Sequence, residues 1–315
     1  MTSRIRRFVR KIIRALTAGI VRRSETNTIL LAKLHVDRIR QAGSISALSD
    51  VEFKAFSQWG EDGIIQYLIH KIPIADSSFV EFGVENYTEA NTRFLLINDQ
   101  WRGLVLDGSE HNIDYIQKDD IYWRHDLTAK CQFITRDNIN DILTASGFLG
   151  DIGLLSVDID GNDYWVWNAI NVITPRIVVC EYNSLFGAEH AVTIPYDEHF
   201  DWSDGHSSRL YFGASLAALC DLAAQKGYDF LGCNSAGVNA FFVRKDLQHG
   251  LPVLSAADGF VLSKHRHSRD EPGNFSSLAS DARIEQIGEL PLYDVSADKR
   301  IQVKDIVRSG SKTGQ

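Results

Sequence analysis

Between Phe79 and Ser109 the segment FVEFGVENYTEANTRFLLINDQWRGLVLDGS sets four acids around one turn and one strand end. Glu81, Glu85 and Glu89 surround a single glycine, Gly83, and Asp107 follows 24 residues later (107 − 83). An acid that closes the second strand of a βαβ unit commonly binds ribose hydroxyls. A pyrophosphate cradle wants three glycines and bare N–H groups at a helix start, and this turn has neither. Three carboxylates would repel a diphosphate, yet they suit a ligand that joins a ribose to positive charge. S-adenosylmethionine, with its sulfonium and ammonium, is such a ligand, and Glu81, Gly83, Glu85 and Asp107 are its candidate contacts. The competing reading is a structural turn with solvated acids.

A second constellation lies further on. Asp158 and Asp160 are two residues apart, so in an extended segment they face the same way. Glu181 and Asn183 close the following apolar run, and hard oxygens at neighbouring strand ends can hold Mg²⁺. Asp160, Glu181 and Asn183 are the candidate ligands, although Asp160-Gly-Asn-Asp163 also reads as a turn and helix cap. Without a metal, Asp160 could itself orient or deprotonate an acceptor hydroxyl. His190, His199 and His206 fall in the aperiodic stretch 184–212, and His206 is the candidate general base among them. Tyr164, Trp165 and Trp167 could stack on a sugar, but aromatics opening a short helix are more often core.

These residues need strand ends to stand on, and the sequence supplies them. Phe79–Phe82, Gly103–Leu106, Ile152–Asp158 and Ile177–Tyr182 read as buried strands, with a weaker third strand over Ile121–Arg124. Helices are expected over Ile64–Ile72, Tyr87–Asn98, Ile134–Ser146, Asp163–Ile170 and Ala214–Lys226, the last ended by Gly227. Tyr228–Cys233 and Val238–Arg244 flank Asn-Ser-Ala-Gly and form a hairpin. Alternating strands and helices with a late hairpin predict an α/β fold: a Rossmann-like, mostly parallel sheet with a late antiparallel hairpin, in three α/β/α layers. The stretch 184–212 is long enough to be a binding segment rather than a plain connection.

Composition narrows the class. The 315 residues are 44% hydrophobic and 23% charged, ordinary for a soluble globular chain. The net charge of −8 is uneven: residues 1–23 hold eight Arg or Lys and no acid, leaving −16 (−8 − 8) on the remainder. So acidic a body excludes nucleic acid as a partner held by charge alone. The four cysteines show no C-x-x-C spacing, which points to a reducing cytoplasm and away from disulfides or zinc. Residues 1–23 place Ile5, Phe8, Val9, Ile12, Ile13, Leu16 and Ile20 at helical spacing, a basic amphipathic helix suited to an anionic membrane surface. Packing on its own domain, or on a second copy in a homo-oligomer, is the alternative for that helix. A further helix is expected over Asn27–Ala42. The parts are then 1–48, a helical extension; 49–248, the ligand-binding domain; and 249–315, a C-terminal extension with a strand near Arg300–Val303 and the run His265-Arg-His.

Phe56-Ser-Gln-Trp-Gly-Glu-Asp, the VEFG turn, Leu106-Asp107 and Leu155-Ser-Val-Asp-Ile-Asp-Gly together resemble FkbM-type methyltransferases, of the class I fold. The resemblance covers roughly 51–246. It implies S-adenosylmethionine as cofactor, with Gly83 at the methionine part, Asp107 at the ribose, Asp126 within the adenine-facing 125–128, and Asp158 at the acid-rich strand end. It also implies transfer of a methyl group to a glycan or small-metabolite hydroxyl. Other readings are a catalytically silent nucleoside-binding scaffold of the same fold and an NAD-type oxidoreductase, the latter disfavoured by the acidic turn.

Overall fold

The computed structural model describes residues 3–41, 43–247, 250–264 and 268–310. His265 and His267 lie outside them. Among the described residues ten strands, β1 (Ser78–Phe82), β2 (Arg102–Asp107), β3 (Leu127–Cys131), β4 (Gly150–Val157), β5 (Ile173–Glu181), β6 (Val192–Thr193), β7 (Tyr228–Cys233), β8 (Asn239–Arg244), β9 (Pro291–Asp294) and β10 (Lys299–Gln302), form two sheets. The larger has the order β3-β2-β1-β4-β5-β8-β7. Its first five strands are parallel, and β8 runs antiparallel to both β5 and β7.

The helices are α1 (Ser3–Gln41), α2 (Glu61–Lys71), α3 (Arg93–Asn98), α4 (Glu110–Lys118), α5 (Asp120–Arg124), α6 (Ile139–Ala145), α7 (Asp163–Ala169), α8 (Trp202–Gly205), α9 (Leu216–Lys226), α10 (Ala256–Gly259), α11 (Ser280–Gln286) and α12 (Val303–Gly310). Alternate residues of each strand enter separate cores, so both faces are covered. Val80, Phe82, Leu104, Leu155 and Val178 pack with α6, α7 and α9. Phe79, Val105, Leu154, Ile177 and Val179 pack with α2, α3 and α4 on the other face. Strands buried on both sides read as unbroken apolar runs, which is why they were visible in the sequence. The three-layer Rossmann-like fold with its late hairpin is what the structure has.

Local expectations needed correction in four places. The helix expected over Tyr87–Asn98 begins only at Arg93. The chain before it is fixed as a loop, with Glu85 at φ +46° and Tyr87 at +61°. Ile121–Arg124 is helical, and the third strand is Leu127–Cys131. Asp119 caps that helix by accepting from the Ile121 N–H, which decides the local competition. The helix expected from Ile134 starts at Ile139. Finally, no break separates residues 1–23 from 27–41: α1 is one helix from Ser3 to Gln41.

The long segment after β5 is tied down by the C-terminal extension. β6, in that segment, pairs antiparallel with β9, which pairs with β10. A third core of Leu185, Phe186, Val192, Leu210 and Tyr211 with Ile287, Leu292 and Val303 joins the two.

Candidate functional site

The carboxyl ends of β1, β2, β4 and β5 converge on one rim. Glu81, in β1, is sealed into it: its carboxylate accepts from the N–H of Asn91 (2.8 Å), the N–H of Thr92 (3.0 Å) and both hydroxyls of Thr92 and Ser156. Burial outweighs these donors and raises its pKa to about 7. Glu81 therefore fixes the loop that carries the exposed Glu85 rather than facing a ligand. Gly83 donates its N–H to the carbonyl of Leu106 (3.0 Å), so this amide too is committed within the protein.

Asp107 ends β2 and is largely buried. Its Oδ1 accepts from the N–H of Ser109 (2.8 Å) and the amide of Asn112 (3.1 Å). Those bonds hold the carboxylate at the strand end. Asp126, in contrast, precedes β3 and stands at the opposite end of that strand from Cys131, the residue paired with Asp107. The expectation that Asp126 follows the third strand is thereby corrected. The residues beyond β3 are Gln132 and Phe133, and the Phe133 ring is exposed beside Gly108. Its signal, an aromatic just past a strand, was hidden by the misplaced strand.

After β4 the chain turns sharply. Asp163 is fully buried and accepts from the N–H groups of Ile159 (2.8 Å) and Gly161 (2.9 Å). Those bonds push the backbone of Asp160 to φ +52°, uncommon for a residue with a side chain. The turn reading of this segment thus describes Asp163, while Asp160 is left to meet its neighbours. Carboxylate oxygens of Asp158, Asp160 and Glu181 lie within 4.8 Å of one another. Burial, and then their mutual repulsion, holds Asp158 and Glu181 well above the usual carboxylate range. Burial and the neighbouring Asp163 raise Asp160 to about 7. Oε2 of Glu181 is buried without a hydrogen-bond partner. Such a cluster suits a cation, either a positively charged part of a ligand or a hard metal ion.

Asn183 is not part of that ligand set. Its Oδ1 accepts from the N–H of Leu185 (3.1 Å), and its amide donates to the carbonyls of Leu210 (2.9 Å) and Phe212 (3.0 Å). It staples the long segment to the end of β5. His206 is likewise occupied: its Nδ1 accepts from the N–H of Ser208 (3.2 Å). Nδ1 also lies 2.7 Å from the Ser208 hydroxyl, so this nitrogen is engaged within its own turn. Trp167 is core, and Trp165 donates Nε1–H to the carbonyl of Ile194 (2.9 Å).

The FSQWGED segment supplies residues that sequence reasoning left out of the site. Asp62 Oδ2 accepts from the N–H groups of Ala55, Phe56 and Ser57 and from the Ser57 hydroxyl, at 2.7–2.8 Å. Glu61 accepts from the Trp59 N–H (2.8 Å) and the amides of Asn234 (2.6 Å) and Asn239 (2.9 Å), which binds the segment to the β7–β8 hairpin. Both acids are architectural. What they present is Gln58 and Trp59, in the wall of a cavity of about 310 Å³ that Glu181, Arg209 and Arg283 also line. The FSQW part of the motif was the available signal for the first two; for Arg283, a hundred residues beyond β5, there was none.

No family model and no curated protein matches this sequence. Solved structures resemble it in fold. One is the N-terminal domain of EvdMO1 with SAH bound, at a TM-score of 0.39 and 10% identity, over 66% of this chain and 93% of that one. The same domain in the presence of SAH and D-fucose gives 0.38 and 11%, with the same coverage. An S-adenosylmethionine-dependent methyltransferase from Clostridium acetobutylicum gives 0.38 and 11%, over 58% of this chain and 90% of that one. The last of these is a methyltransferase, and the likeness of all three is too distant to assign a reaction to this chain.

Proposed function

We propose that the protein is an S-adenosylmethionine-dependent methyltransferase acting on a hydroxyl of a glycan or other small metabolite. One observation carries the reading: a single rim with two sides. The ends of β1, β2 and β4 bring together Glu85, Asp107 and Asp158, and the end of β5 opens through Glu181 into the separate 310 Å³ cavity. Acids without a phosphate cradle on the first side suit a ribose and a cationic chain, with Asp107 on the ribose and Phe133 beside the base. The bound cofactor supplies a methyl group on a positively charged sulfur.

This chain's own residues then align and deprotonate the acceptor. Asp160 and Glu181 stand between the two sides, within 4.8 Å of each other. With the cofactor bound, Asp160 would take the proton of the acceptor hydroxyl as that oxygen receives the methyl group. A carboxyl raised to about 7 is poised for that transfer near neutral pH. Alignment in a desolvated pocket supplies most of the acceleration such displacements need. Asp160, beside Glu181 on the rim, is therefore proposed as the base in preference to His206. In the alternative, a cation such as Mg²⁺ on Asp158, Asp160 and Glu181 would relieve their repulsion and activate the acceptor hydroxyl in place of Asp160.

Calorimetry with S-adenosylmethionine, S-adenosylhomocysteine and NAD⁺ in parallel tests the reading. Binding of the first two and not the third is expected. Binding of NAD⁺ alone would support the oxidoreductase. Tight S-adenosylhomocysteine binding without turnover on any hydroxyl acceptor would support a silent nucleoside-binding scaffold.

A further inference from the structure

The cavity beside Glu181 has a chemistry that the rim does not explain. Arg283, on α11, is only 7% exposed, and its Nε is buried with no hydrogen-bond partner. Among the described residues no carboxylate lies in salt-bridge reach of it, and burial lowers its pKa. A cation taken out of water with nothing to compensate it is unfavourable, so this arrangement costs the empty fold stability. Arg209 lines the same cavity from a left-handed backbone, φ +57°, with its guanidinium 4.6 Å from the Trp202 ring centre. A strained non-glycine residue and an unpaired buried arginine in one wall form a site awaiting an anion. Guanidinium forks match carboxylate and phosphate oxygens in pairs.

We infer that the acceptor carries an oxyanion, a carboxylate or a phosphate, bound by Arg283 and Arg209, with its hydroxyl end towards Glu181 and Asp160. The word "acceptor" rests on the methyl-transfer reading; the oxyanion site does not. A hydroxylated acid of monosaccharide size, such as a uronic acid or a sugar phosphate, is the class that spans both ends.

The probes are D-glucuronate, glucose 6-phosphate and D-glucose, titrated into the full chain and into Arg283→Met, with S-adenosylhomocysteine titrated in parallel. At least one anionic probe should bind at least tenfold more tightly than glucose. The variant should lose that preference, keep its affinity for S-adenosylhomocysteine, and melt about 2–4 °C higher because the uncompensated charge is gone. Binding of glucuronate alone identifies a carboxylate, and of glucose 6-phosphate alone a phosphate. Equal binding of all three, no anion binding at millimolar concentration, or a lower melting point in the variant would overturn the inference. Anion binding without any S-adenosylhomocysteine binding would keep the oxyanion site and remove the methyl-transfer reading.

An independent observation concerns α1. Ala32, Val36 and Ile39 are buried against the body, whereas Leu30, Leu31 and Leu34 are 57%, 61% and 66% exposed. These three leucines form an apolar patch on the side of α1 turned away from the body. Eight cations and no acid in residues 1–23 would repel the same segment of a second copy and attract an anionic surface. Among the described residues no helix is long and apolar enough to cross a membrane.

We propose that α1 lies flat on anionic lipid, with the body on its solvent side. Co-sedimentation of the full chain with phosphatidylcholine vesicles, with and without phosphatidylglycerol, tests this. Binding should require phosphatidylglycerol, weaken with salt, and fall at least tenfold in the triple variant Leu30→Gln, Leu31→Gln, Leu34→Gln. Equal binding to neutral vesicles, unchanged binding of the variant, or a dimer in light scattering that the variant dissolves would overturn it.

Discussion

A β-carbon on Gly83 would fall 1.7 Å from the carbonyl oxygen of Asp158. The turn after β1 and the end of β4 are in backbone contact, so the glycine sets the spacing of the two acidic arms of the rim. The residue also sits at φ +70°, a conformation that side chains strain to adopt.

Gly83→Ala should therefore destabilise the fold by about 2–4 kcal/mol, the range for a substitution that combines a clash with an incompatible backbone. Urea denaturation measures it. A loss under about 0.5 kcal/mol would mean that β4 moves aside freely, and the spacing argument would fail.

Asp107 is held in place by Ser109 and Asn112 and is the proposed acceptor for ligand hydroxyls. Asp107→Ala should weaken S-adenosylhomocysteine by about 1.5–3 kcal/mol, the loss of charge-assisted hydrogen bonds. Calorimetry at matched salt reads the change directly. Unchanged affinity would take Asp107 out of the site.

Glu81 predicts a pH dependence. Its folded-state pKa of about 7 lies above its ordinary 4.5, so between those values the folded chain keeps a proton that the unfolded chain releases. Stability should fall as pH rises through that window and level off above it. Asp62, raised to about 6, and Asp160, raised to about 7, act in the same direction. Thermal melts from about pH 5 to about pH 7.5 should show a declining Tm, with a shallower slope in Glu81→Gln. A Tm that climbs across the window would contradict the buried-acid picture.

Asp160→Asn keeps the shape of the turn and removes the proposed proton acceptor. Turnover should drop about 10²–10⁴-fold, the usual worth of general base catalysis, while S-adenosylhomocysteine affinity changes little. Steady-state kinetics with calorimetry separates the two. The same assay in EDTA, with and without added Mg²⁺, separates the two readings: full activity in chelator leaves Asp160 acting alone as the base, and activity lost and then restored by Mg²⁺ would give its place to the cation.

The sequence by itself determined the scaffold. The runs at Phe79, Leu104, Ile152 and Ile177 are apolar on both alternating faces, with Glu81 and Ser156 the polar exceptions, because both sheet faces are covered, a property each strand carries locally. Acids at the ends of those runs, Asp107 and Asp158 among them, were legible for the same reason. Only the tertiary structure decided which acids are free to act. Glu81, Asp62 and Asp163 look as reactive in sequence as Asp160, but each is consumed by backbone N–H groups of its own loop. Asn183 is spent on carbonyls some thirty residues away, and His206 on Ser208. Strand periodicity repeats every two residues and can be read along the chain. Hydrogen-bond commitments, and the arrival of Arg283 beside Glu181, depend on segments that meet only when the sheet, the long segment and the C-terminal extension pack together.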